Sequence, residues 1–109
     1  MKPLIALLLA AAGLSAAPPA AQTFTGVIID SECAADGHDT MRMGPTDAEC
    51  AIACVRDMGA EFGLTDGKDF YRLSDQQLPA KFAAQKVTVT GTLDPKTKTI
   101  TVDSIAAAK

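Results

Sequence analysis

Between Cys33 and Cys54 the chain gathers all three of its cysteines, its one histidine, His38, and two of its four methionines, Met41 and Met43. Three thiolates and an imidazole are a ligand set for tetrahedral zinc. Thiolates together with thioethers suit Cu(I) instead, and Met41 and Met43 then join the candidates. The metal-ligand candidates are therefore Cys33, His38, Cys50 and Cys54. Their spacing, Cys-x4-His followed by Cys-x3-Cys, matches no standard zinc-finger signature. The residue types, not a motif, carry this reading.

A disulfide is the competing use of the same thiols. Cys33 paired with Cys50 or with Cys54 would close a loop of about 20 residues and stabilise a small domain by roughly 3 kcal/mol in the chain-entropy model. Cys50 with Cys54 is disfavoured, because Cβ vectors four residues apart on a regular helix do not meet in relaxed disulfide geometry. Either pairing leaves one odd cysteine. Catalysis has less to stand on. A thiol and a histidine can form a nucleophile and its base, yet only Asp36 and Asp39 are at hand to orient His38. Redox exchange favours a spacing one residue shorter than Cys50 to Cys54. No carboxylate pair and no phosphate-cradling glycine loop is present. The chain is read as non-catalytic.

Positioning these residues falls to short elements. Thr23 to Ile29 reads as a strand rich in β-branched residues, with Gly26 marking a bulge or bend. Asp30-Ser31 ends it and delivers Cys33 at its edge. Ala34 to Pro45 reads as a loop. Thr46-Asp-Ala-Glu49 is a capping-box pattern, so a helix is expected from about Asp47 to Met58, stopped by Gly59. Cys50 and Cys54 then share one helical face. Glu61 to Thr65 and Asp69 to Leu73 read as strands joined by a tight turn at Asp66-Gly67. Ser74 to Gln77 is a second capping-box pattern, followed by helical turns to about Ala84, with Pro79 suited to a first turn. Lys86 to Leu93 alternates, with Val87, Val89 and Leu93 on one face. Thr99 to Asp103 is the last strand, with Ile100 and Val102 inward, and Ala106 to Lys109 is expected to fray.

The fold class expected is mostly β with short helices (α+β). The order of elements, with a helical segment between the third and fourth of five strands, is that of an OB-like barrel, here with the cysteine-bearing helix inserted between strands 1 and 2. That connection is one of the usual ligand loops of the fold.

Two regions of the 109 residues differ in kind. Lys2, the apolar run Leu4 to Leu14 and the small residues Ser15 to Ala21 follow the order of a secretory signal peptide. The run is too short to span a bilayer, which takes roughly 20 apolar residues. Residues 1–21 are read as the leader and 22–109 as one domain, periplasmic or secreted, with no membrane anchor after cleavage. Without Lys2, nine basic residues face thirteen acidic ones, a formal charge of −4. No Lys/Arg cluster is present, so nucleic acid is not an expected partner. A metal ion or a protein is.

The segments Phe24-Thr-Gly-Val-Ile-Ile-Asp-Ser-Glu-Cys33, Glu49-Cys-Ala-Ile-Ala-Cys-Val55, Val87-Thr-Val-Thr-Gly-Thr-Leu93 and Thr99-Ile-Thr-Val-Asp-Ser-Ile105 resemble small exported bacterial domains of uncharacterised function, similar in layout to periplasmic OB-fold proteins. The resemblance implies export and the barrel and carries no catalytic residue across. Two functions stay open: a binding module with a soft-metal site for zinc or copper, and a disulfide-stapled structural or protein-interaction domain without metal.

Overall fold

A computed structural model describes residues 20–36 and 44–108. His38, Met41, Met43 and all but the last two residues of the expected leader lie outside that set. The chain runs β1 (Gln22–Asp30), α1 (Ser31–Asp36), α2 (Asp47–Met58), β2 (Phe62–Thr65), β3 (Phe70–Leu73), a 3₁₀ helix (Leu78–Phe82), β4 (Lys86–Asp94) and β5 (Thr99–Ala107). The five strands form one closed sheet in the order β1-β2-β3-β5-β4. All neighbours are antiparallel except β3 and β5, which run parallel through Arg72↔Thr99 and Leu73↔Ile100.

β1 is shared by two partners. Its first half pairs with β4, from Gln22↔Gly91 to Val27↔Lys86, and its second half with β2, from Val27↔Thr65 to Asp30↔Phe62. The handover needs a close approach at Gly26, where any Cβ would run into the backbone carbonyl oxygen of Thr65. Period-two alternation then turns Gly26, Ile28 and Asp30 inward together. β4 alternates as its sequence does, with Val87 and Val89 fully buried. These residues meet Ile28, Leu64, Leu73 and Ile100 in the principal core, and Ala51 of α2 closes it from one side.

Three expectations change. The segment after β1 opens as a helix, α1, where a loop was expected from Ala34; its cause is Asp30, described below. Ser74 does not cap a helix. Its hydroxyl accepts the Val102 N–H at 3.0 Å, while Asp75 accepts those of Gln77 and Leu78 at 2.9 and 3.0 Å and starts the 3₁₀ turns. The tail is ordered further than its composition suggests. β5 continues to Ala107 because β4 offers it partners down to Val87, and the Ala108 N–H donates to the Lys86 carbonyl at 3.0 Å.

Candidate metal centre

The 12-residue α2 begins as its sequence dictates. The Thr46 hydroxyl accepts the Glu49 N–H at 3.1 Å, satisfying one of the orphan donors of the first turn. It ends at Gly59, which takes the left-handed conformation (φ 73°), and the Ala60 N–H closes back on the Cys54 carbonyl at 3.2 Å. Between these stops the four-residue interval stacks Cys50 and Cys54 on one face. Neighbouring positions Ala48, Ala51, Ile52 and Val55 pack on the principal core, so the two thiols sit beside that core rather than in it.

Cys33 arrives from the other direction. Asp30, turned inward by the alternation of β1, ends the strand and caps α1. Its Oδ2 accepts the N–H groups of Glu32 and Cys33, both at 3.0 Å. The first turn of α1 is fastened to the start of β2 by a reciprocal pair: Ser31 N–H donates to the Glu61 carbonyl at 2.8 Å, and Glu61 N–H to the Ser31 hydroxyl at 3.0 Å. The two anchors hold Cys33 against α2. Ile29, Ala60 and Val55 fill the surrounding space.

The three Sγ atoms lie within 4.8 Å of one another, and Cys33 Sγ stands 3.8 Å from Cys50 Sγ. Cys33 is 3 % exposed, and Cys50 and Cys54 are fully buried. Two thiolates bound to a tetrahedral zinc at about 2.3 Å stand about 3.8 Å apart, so the Cys33–Cys50 pair already has the edge length of such a site. A disulfide requires about 2.05 Å, and no disulfide joins any of the three cysteines.

Cys33 and Cys54 are protonated at neutral pH. Burial holds the Cys33 thiol far above the ordinary range, and the Asp30 carboxylate beside it and the Cys50 thiol add to the effect. Burial, with the charge of Asp30 next, pushes Cys54 up to about 11. Metal entry must therefore displace protons.

Of the residues the sequence nominates, the structure brings Cys33, Cys50 and Cys54 together; His38, with Met41 and Met43, lies outside the described residues. Sequence reasoning passed over Asp30. It is fully buried, and its second oxygen, Oδ1, has no hydrogen-bond partner among the described residues. The signal was present: Asp30-Ser-Glu-Cys33 after an alternating strand is an N-cap residue followed by a first turn with Glu32 in it.

Residues 64–108 match a family model described as "Protein of unknown function (DUF5818)". The match spans the end of β2 through β5 and stops short of β1 and of all three cysteines. No curated protein and no solved structure matches the chain.

Proposed function

We propose that this is an exported, non-catalytic binding module of OB-like architecture whose Cys33, Cys50 and Cys54 hold one zinc or copper ion, with a further donor from the polypeptide. His38, five residues beyond Cys33, is the donor the sequence nominates. The observation that carries this reading is the meeting of three buried sulfurs from two helices separated by the segment 37–46. Buried thiols are common singly; three within 4.8 Å of one another are the makings of a ligand shell.

The architecture is consistent with a ligand-holding role. A five-stranded closed sheet ordered 1-2-3-5-4, with a helical turn between its third and fourth strands, supports the OB-like reading, and the cysteine-bearing helix then lies in the connection between strands 1 and 2. Residues 1–21 act as the export signal, and the mature domain works in the periplasm or outside the cell. No helix among the described residues is long and apolar enough to cross a membrane.

The test is elemental analysis of protein purified from the exported fraction, paired with intact mass before and after reduction. One equivalent of zinc or copper with three free thiols is the expected result. One disulfide and no metal would replace the metal reading with a stapled domain, in which Cys33 is bonded to Cys50 or to Cys54.

A further inference from the structure

We propose that this centre is redox-gated: oxidation joins Cys33 to Cys50 or to Cys54 as a disulfide and expels the ion, and reduction restores the site. The inference rests on the metal reading above and adds the regulation of that site.

The placement of the sulfurs carries it. Two of them stand on one face of α2, and the third is brought to them by α1. Cys33 Sγ lies 3.8 Å from Cys50 Sγ, and Cys54 Sγ is within 4.8 Å of both. To bond at about 2.05 Å, Cys33 and Cys50 must approach by under about 2 Å. Cys50 and Cys54, four residues apart on one helix, are the pair that relaxed disulfide geometry disfavours. Cys33 is therefore the shared half of any bond formed here. It is also the one thiol of the three that keeps any exposure, 3 % against none for the others, so an oxidant meets it first.

The oxidant is a disulfide, small or protein-borne, reacting by exchange. Cys33 Sγ, as its thiolate, attacks one sulfur of that disulfide; the external S–S bond breaks, one thiolate leaves, and a mixed disulfide forms on Cys33. Sγ of Cys50 or of Cys54 gives its proton to solvent and attacks Cys33 Sγ, closing the internal bond and releasing the second thiolate. The protein loses two electrons and two protons, and the external disulfide becomes two thiols. A thiolate binds the ion and a disulfide sulfur does not, so one oxidation strips two of the three sulfurs together. Linkage makes the effect reciprocal: an ion that binds only the reduced centre makes oxidation harder by the factor with which it stabilises that state. The two competing uses of these cysteines then become two states of one site.

The experiment equilibrates the exported protein with mixtures of oxidised and reduced glutathione, once without metal and once with free zinc buffered at about 100 times its Kd, or Cu(I) if that is the ion bound. Intact mass after quenching counts the internal bond, peptide mapping locates it, and a chromophoric chelator counts the ion released. One equivalent should leave per bond formed, and every bond should include Cys33. The metal should displace the midpoint about 100-fold toward oxidised glutathione, or about 60 mV. Cys33→Ala should form no internal bond at any ratio, whereas Cys50→Ala and Cys54→Ala should each still form one. If an alanine variant folds poorly, the wild-type peptide map carries the same assignment. Oxidised protein that keeps its ion, thiols that stay reduced at every ratio, a midpoint the metal does not move, or a Cys50–Cys54 bond in the wild type would overturn the gate while leaving a metal site. Reduced protein that takes up neither zinc nor Cu(I) would instead remove the metal reading and this inference with it.

Discussion

Raising the pH of the reduced, metal-free protein should unfold it through its own thiols. In the unfolded chain a cysteine loses its proton near pH 9; in the folded chain Cys54 keeps its proton up to about 11, and Cys33 beyond that. In the interval the folded state holds more protons than the unfolded one, so stability falls as pH rises. The stability tied to these protons is complete below the unfolded value and is lost on the way to the folded one. One pH unit costs about 1.4 kcal/mol for each such thiol. Cys54 alone should remove about 3 kcal/mol between pH 9 and 11, and Cys33 about as much again. The combined loss is comparable with the lower end of the 5–15 kcal/mol, roughly, that holds a small domain together. The assay is urea denaturation at intervals from pH 8 to 10.5 with reductant and chelator present, with thiolate absorbance in the ultraviolet followed in parallel. Cys54→Ala should show a shallower slope by one thiol's share, which separates this effect from any other alkaline loss. A flat profile with thiolate absorbance already complete at pH 9 would refute the reasoning. A zinc-loaded sample should lack the alkaline loss, since its thiolates are already bound.

Four substitutions probe the frame around the site, each read by denaturant midpoint. Gln76→Ala removes a side chain that accepts the Phe62 N–H at 2.7 Å and donates to the Phe62 and Leu73 carbonyls at 2.9 and 2.8 Å; the expected loss is about 1–3 kcal/mol, and under half of that would mean water replaces it. Ile28→Ala empties the centre of the core and should cost about 2–5 kcal/mol. Thr46→Ala deletes the cap of α2 and should cost about 1 kcal/mol while lowering metal affinity by loosening Cys50. Arg72→Ala breaks the 2.6 Å pair with Glu61, but both side chains are nearly half exposed, so the change should stay below about 1 kcal/mol and shrink further in salt.

What could be read from the sequence was local. Both ends of α2 are written in adjacent residues, Thr46 with Glu49 and then Gly59, and β4 declares its faces by strict alternation. The misreadings lie where a residue serves something distant. Ser74 has the form of a helix cap but meets β5 across the sheet, and no local pattern contains Val102. The alanines at the end of β5 have little strand propensity of their own and are ordered by hydrogen bonds from β4. Asp30 looked like a strand terminator, because its burial comes from the register of β1 and not from its own polarity. That the thiols share one face of α2 follows from their interval; that this face turns toward Cys33 depends on small Ala51 seating the helix against the core, which spacing does not encode.

The sheet is joined to itself unevenly. β4 lies along β5 and β1 over long runs, whereas β3 meets β5 through two residue pairs, extended by the Arg72 N–H to the Lys98 carbonyl, the Ser74 N–H to the Ile100 carbonyl and the Ser74 hydroxyl under Val102. The cylinder therefore has one short seam, and any breathing motion that stops short of unfolding should unzip there, turning a tube into a curled ribbon. β1, whose end carries the helix of Cys33, takes no part in that seam, so such an opening would leave its pairings with β2 and β4 in place.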